Sequence, residues 1–201
     1  MTDHSPGPVD AVLELATAAL AGHGGPGPVV VGIDGRSGSG KSGLAASVVA
    51  ALRERPGLEG PGAVGLLALE DAYRGWYGLG VGVGVVAAQV LEPLSRGLRG
   101  AVRRYDWAAG AVDGVMHVPP PDLPLPRVLV VEGCGAGSRA CAPFVDVLVW
   151  LEAPEPERRR RAMARDGGSW AHLWDAWAAQ EQALLDGRDA PGVADLVLRT
   201  A

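Results

Sequence analysis

Apolar residues recur along this chain in two rhythms. Over residues 9–21 they return about every 3.6 positions, with Asp10 and Glu14 interrupting them, which predicts an amphipathic helix closed by Gly22. Over 29–34 (VVVGID) they run unbroken and rich in β-branched residues, the mark of a strand buried on both faces in a parallel sheet. Further strands are predicted at 63–69, 127–132, 145–151 and 195–199. Helices are predicted at 41–55, from about 85 to 98, and over 156–165 and 170–185. Pro56 and Gly57 stop the second helix. A Gly-rich loop is predicted over 75–84, a polar, aromatic-bearing loop over 103–114, and an extended proline connector over 119–126. Residues 1–8 read as a frayed, flexible tail. Strands alternating with helices predict an α/β fold with a five-stranded parallel sheet, where ligands gather at the carboxyl ends of the strands. A length of 201 residues predicts one domain, 1–201.

Composition narrows the partners. A net charge of -5 argues against a nucleic-acid-binding surface, which needs a basic face. Cys134 and Cys141 are too few for a disulfide framework and lack zinc-ligand spacing. The start of the chain lacks the features of a signal peptide, and no run reaches the roughly 18 apolar residues of a membrane span. A cytoplasmic protein with small-molecule partners is expected, with a homodimer left open. Of 18 basic residues, Lys41 is the only lysine. A compact ammonium fits between phosphate oxygens inside a tight loop, where a planar guanidinium is too wide.

Lys41 lies in the strongest motif, residues 35–42 (GRSGSGKS), between a strand and a helix. This spacing predicts a phosphate loop in which Gly35, Arg36, Ser37, Gly38, Ser39, Gly40, Lys41, Ser42 and Gly43 hold ATP. Lys41 is expected to reach the β- and γ-phosphates, and the Ser42 hydroxyl to ligate magnesium. Glu132 ends the third strand, where such a fold holds magnesium, and Asp34 ends the first strand in a comparable place. Glu70 and Asp71 follow the second strand, where one can take a proton from an attacking hydroxyl; a solvated strand end is the other reading. Arg158, Arg161 and Arg165 share a helical face, either solvated or set over the phosphates. Arg104, Tyr105, Asp106 and Trp107 combine a cation, rings and a carboxylate, as acceptor contacts or as packing anchors, and Tyr73 is a further candidate. His117 and Cys134 are weaker candidates, although Cys134 must lie close to Glu132.

The order of these motifs resembles the uridine kinase branch of the P-loop kinases, with pantothenate kinase and phosphoribulokinase. The resemblance runs from Val29 to the end: VGIDGRSGSGKS, then EDAY, RYDW, VVEG, a helix with R-x-x-R-x-x-x-R-D, and ADLVL. It implies a three-layer P-loop fold with ADLVL closing the sheet beside the adenine pocket. The implied reaction is magnesium-dependent transfer of the γ-phosphoryl of ATP to a hydroxyl, such as that of uridine or cytidine. It implies Glu70 as the general base, Tyr105 and Asp106 as nucleoside contacts, Glu132 as a magnesium group, and Arg158, Arg161 and Arg165 as lid arginines. The chain departs from the family in carrying Glu70 for aspartate, Ala72 for an aromatic, a D-G-G-S turn for a longer lid, and a Gly/Val segment at 78–86 for the insert over the nucleoside. A kinase of a sugar or cofactor precursor, or an ATP-binding regulator that transfers nothing, are the alternatives.

Overall fold

In the computed structural model residues 7–200 are described. The chain runs α1 (Pro8–Gly22), β1 (Val29–Asp34), α2 (Lys41–Arg53), β2 (Val64–Ala68), α3 (Leu79–Val86) and α4 (Glu92–Ser95). It continues β3 (Gly100–Asp106), β4 (Ala111–Val118), β5 (Val128–Glu132), β6 (Val147–Glu152), α5 (Glu155–Arg165), α6 (Trp174–Gly187), α7 (Ala190–Val193) and β7 (Leu196–Arg199). Of the tail expected over 1–8, residues 1–6 lie outside the described residues and Pro8 already begins α1.

Five strands form one parallel sheet in the order β2-β5-β1-β6-β7. Side chains alternate across it. Val29, Val31 and Ile33 of β1 pack with Val12 and Leu13 of α1 and Val48 and Leu52 of α2. Val30, with Leu129 and Val131 of β5, faces the opposite layer, built by Leu79 and Val83 of α3, Val90, Leu94 and the tryptophans of α6. The result is a three-layer α/β fold whose strands all end on one edge. Because β1 is central, the loop after Asp34 emerges in the middle of that edge, between the ends of β5 and β6.

Three segments depart from the sequence-based expectation. Part of the loop expected over 75–84 is helical, because Gly80, Gly82 and Gly84 lie within α3. At Gly82 glycine serves close packing: a Cβ there would stand 2.6 Å from the Ala72 carbonyl oxygen and the Tyr73 Cα. Between α3 and α4 the backbone widens into a π-helical turn, Ala87–Leu91, immediately before Pro93. Proline there can neither donate its own hydrogen bond nor fit against the carbonyl four residues back, which accounts for the widening. The loop expected over 103–114 is the antiparallel hairpin β3–β4. Most of β4 is exposed, so it carries no buried stripe to announce a strand.

Candidate active site

The phosphate loop is built from backbone. Gly38 and Gly40 have positive φ (80° and 100°), which a side chain disfavours. A Cβ on Gly38 would also collide with the Arg158 carbonyl, so the loop lies flush against α5. Gly40 caps α2 without any side-chain hydrogen bond. The N–H groups of Lys41, Ser42 and Gly43 therefore open the helix with no carbonyl one turn earlier, a donor set suited to an anion.

Asp34 is fixed beneath this loop. Its Oδ1 accepts from the N–H groups of Gly35 (2.7 Å) and Gly135 (2.9 Å), and its Oδ2 from Gly137 (2.7 Å). Burial pushes its carboxyl above the usual range, against the pull of those three N–H groups and of Lys41. Asp34 is thus a staple between the loops after β1 and β5. The possibility of Asp34 acting beside the metal gives way to this, because its oxygens are already engaged.

Ser42 and Glu132 meet on the cavity side, where the Ser42 hydroxyl donates to Glu132 Oε1 at 3.1 Å. Burial raises the Glu132 carboxyl, while Lys41 and the Ser42 hydrogen bond pull it down. Lys41 is 8% exposed, and its Nζ donates to the Arg36 carbonyl at 3.1 Å. Burial opposes its charge, but the Cys134 sulfur and the carboxylates of Glu181, Asp34 and Glu132 outweigh burial and raise its pKa. The ammonium stays charged, as a phosphate ligand requires.

Above the loop opens a cavity of about 730 Å³. That volume is within the range of small-molecule sites. Gly38, Gly40, Lys41, Ser42, Gly43 and Glu132 line one end. Glu70, Arg161, Arg165, Tyr73 and Trp107 line it as well, along with Trp76, Trp170 and Trp177. The acid pair does not lie on extended backbone, as expected, but in a 3₁₀ turn, Leu69–Asp71, after β2 ends. The turn separates the two side chains. Glu70 reaches the cavity, whereas Asp71 lies outside it, 3.5 Å from Arg104 Nε.

Several sequence-predicted residues lie elsewhere. Arg158 is buried behind the loop: its guanidinium donates to the carbonyls of Ala153 (3.1 Å) and Ser37 (3.2 Å) and lies over the Trp174 ring. It ties α5 to the loop from below, so of the three arginines only Arg161 and Arg165 line the cavity. Arg36 turns away toward Gln182. Gly35 also lies outside this cavity, at the foot of the loop. Ser39 is fully buried, and its carbonyl accepts from Thr200. Asp106 closes the hairpin turn, its Oδ1 accepting from the N–H groups of Ala108 (2.8 Å) and Ala109 (2.9 Å). Arg104, Tyr105 and Asp106 are not part of the cavity wall; Tyr105 packs edge-on against Trp107, which is. His117 sits in β4, paired with Ala101, and is also outside the wall.

Sequence reasoning missed Glu181. It is buried on α6, and its Oε1 accepts from the Ser37 N–H (2.7 Å), the Trp177 indole (3.0 Å) and the Cys134 thiol (3.2 Å). Burial pushes the Cys134 thiol up to about 12, so Cys134 serves as a donor and not as a nucleophile. The signal was present: Trp170, Trp174, Trp177 and Glu181 recur at spacings of four, three and four, placing a carboxylate on an apolar face.

The residues fit ATP with magnesium on two counts. The loop takes the positive φ angles of a phosphate loop at Gly38 and Gly40, and the backbone donors of α2 are uncapped. Among the described residues no three metal-ligating His, Cys, Asp or Glu side chains cluster. The hydroxyl and carboxylate of Ser42 and Glu132 instead match magnesium, which takes one or two protein oxygens and completes its shell with phosphate and water. No helix among the described residues is long and apolar enough to cross a membrane.

No family model matches the sequence, and no curated protein matches it. The fold, however, is shared with solved structures. A possible uridine kinase from Bacillus stearothermophilus is 24% identical with a TM-score of 0.63, the match covering 94% of this chain and 97% of that one. A candidate fructose transport system kinase from a Silicibacter species is 21% identical with a TM-score of 0.59, covering 96% and 100%. D-glycerate 3-kinase from Cryptococcus neoformans is 15% identical with a TM-score of 0.54, covering 83% and 80%. The chain thus shares its three-layer α/β fold with these structures.

Proposed function

We propose that this protein transfers the γ-phosphoryl group of ATP to the hydroxyl of a small molecule. The observation that carries the reading is one cavity holding Lys41, the Ser42–Glu132 pair and the Glu70 carboxylate, with Arg161 and Arg165 on its wall. The kinases sharing the fold support the same reaction class.

Bound ATP with magnesium supplies the phosphoryl group and an electrophilic phosphorus. The backbone donors at 38–43 hold the phosphates, and the Lys41 ammonium offsets charge that grows on them. Ser42 and Glu132 hold the metal, directly or through water. Glu70 accepts the proton of the acceptor hydroxyl at its carboxylate. The acceptor oxygen forms its bond to phosphorus as the bond to the bridging oxygen breaks, with that electron pair leaving on ADP. Arg161 and Arg165 neutralise charge that spreads over the transferred group. Asp71, held by Arg104, takes no part.

The resemblance suggested uridine or cytidine as acceptor, through Tyr105 and Asp106. With Asp106 engaged in its own turn, that assignment loses its principal hydroxyl partner. The reading therefore stops at an alcohol. A coupled assay of ADP release with a panel of alcohols tests it: wild type is expected to release ADP in an acceptor-dependent manner, and Lys41→Ala to release almost none. ATP binding without turnover on any alcohol would favour a nucleotide-binding regulator.

A further inference from the structure

The cavity has two unlike halves, and the half away from the phosphate loop is walled by rings. Trp76 stacks on Trp170 at 4.9 Å between centroids and meets Trp107 and Trp177 edge-on at 5.0 and 5.8 Å. Tyr73 lies beside Trp177 at 5.6 Å. Tyrosine and tryptophan usually offer a ligand both an apolar body and a polar tip. Here four of the five tips are already engaged with the protein. The Tyr73 hydroxyl donates to the Cys134 carbonyl at 2.8 Å, and the Trp107 indole to the Glu70 carbonyl at 3.1 Å. The Trp170 indole donates to Asp166 at 2.8 Å, and that of Trp177 to Ser37 Oγ at 2.8 Å.

The other polar groups of this half are engaged too. Both Asp166 oxygens receive the Arg165 guanidinium, at 2.8 and 2.9 Å. Ser169 donates to the Asp166 carbonyl at 3.1 Å. Glu70 is different. Its carboxylate receives no hydrogen bond among the described residues, although its own carbonyl does.

A polyhydroxylated acceptor brings several donors and acceptors into a site, and each needs a partner once water is displaced. Beyond the ring faces, this half provides the Glu70 carboxylate, the Trp76 indole N–H, unengaged among the described residues, and, toward the phosphate side, Arg165. We propose that the acceptor is an alcohol carried on a flat ring and poor in further hydroxyls, lying against the indoles with its reactive hydroxyl at Glu70. The proposal rests on the phosphotransferase reading and narrows it. The proton goes to Glu70, the oxygen takes the phosphoryl group, and ADP leaves with the electron pair of the broken bond.

The test compares acceptors that differ only in their spare hydroxyls. Uridine and 2′,3′-dideoxyuridine share a ring and a reactive hydroxymethyl group. A site built to hydrogen-bond a hydroxyl rejects the analogue lacking it by about ten-thousand-fold. Binding to the full chain with magnesium and ADP present is measured by calorimetry for this pair, and for benzyl alcohol, 4-(hydroxymethyl)pyridine, D-fructose and D-glycerate. The ring alcohols are expected to bind, with dideoxyuridine within about tenfold of uridine or tighter. Trp107→Leu, at a residue 37% exposed and so safe for folding, is expected to weaken the ring alcohols about tenfold, the scale of one stacking partner. The proposal is overturned if uridine binds more than about tenfold tighter than dideoxyuridine, if fructose or glycerate binds more tightly than every ring alcohol, or if no ring alcohol binds. Phosphoryl transfer is read separately. Ring alcohols that bind but are never phosphorylated would remove the kinase reading and leave the binding class standing.

Discussion

The two ends of the cavity are made of different material. The phosphate end is backbone: glycines with positive φ, the uncapped start of α2, one ammonium, and one hydroxyl–carboxylate pair. The acceptor end is side chain: five rings brought from the segment after β2, the hairpin, the turn after α5 and α6. A polyphosphate is the same in every substrate complex, so eight consecutive residues can be shaped to it once. An acceptor differs from enzyme to enzyme, and its pocket is assembled from distant segments that vary independently. On the phosphotransferase proposal, the first end identifies the reaction class and the second would decide what is phosphorylated.

Substitutions at the two ends should differ in kind. The largest effect is expected at Glu70 or Lys41. Glu70→Gln should lower kcat by about a hundred- to ten-thousand-fold, the usual contribution of a positioned base, while leaving ATP affinity unchanged. Asp71→Asn, which only releases Arg104, should stay within a few-fold; rates at saturating ATP separate the two. Lys41→Ala should cost about a hundred- to a thousand-fold in kcat and also weaken ATP binding, the loss of a charge-assisted contact being worth about 1.5–3 kcal/mol. Thermal melting should show it folded.

At the metal pair, Glu132→Gln should raise the magnesium needed for half-maximal rate by about ten- to a hundred-fold. Burial raises this carboxyl, so its proton is lost only at a pH above the ordinary glutamate range. Magnesium activation should accordingly fall on acidification at a higher pH than for a surface carboxylate. The Gln variant should lose that pH dependence, which magnesium titrations at several pH values check.

The smallest effect on chemistry is expected at Asp34. An amide there turns an NH₂ toward at least one of the three N–H donors it now receives. Asp34→Asn should cost about 1–3 kcal/mol in urea unfolding. Its KM for ATP should change more than its kcat, since the loop is displaced and no reacting group is lost.

This division also marks what the sequence disclosed. The phosphate loop was legible because its geometry is local, set by glycine spacing between a buried strand and a helix. The sheet was legible because its three central strands, β1, β5 and β6, are buried on both faces and read as unbroken apolar runs. The hairpin was not, since β4 is mostly exposed and its alternation carries no hydrophobic signal. The helical glycines of α3 misled for another reason: Gly82 is there for contact with Ala72 and Tyr73, which no pattern within the helix encodes, and nothing in the structure explains Gly80 or Gly84. Asp106 and Arg158 were visible as chemistry-bearing residues, yet nothing local says that one caps a turn and the other braces a loop.

Phosphorus NMR of magnesium and ATP incubated with the protein and candidate alcohols tests the central claim most directly. The account predicts that the γ-phosphate resonance is replaced by those of ADP and a phosphomonoester, only when an alcohol is present, and not with Lys41→Ala. ATP left intact with every alcohol, or hydrolysed to inorganic phosphate at a rate indifferent to alcohol, would contradict it.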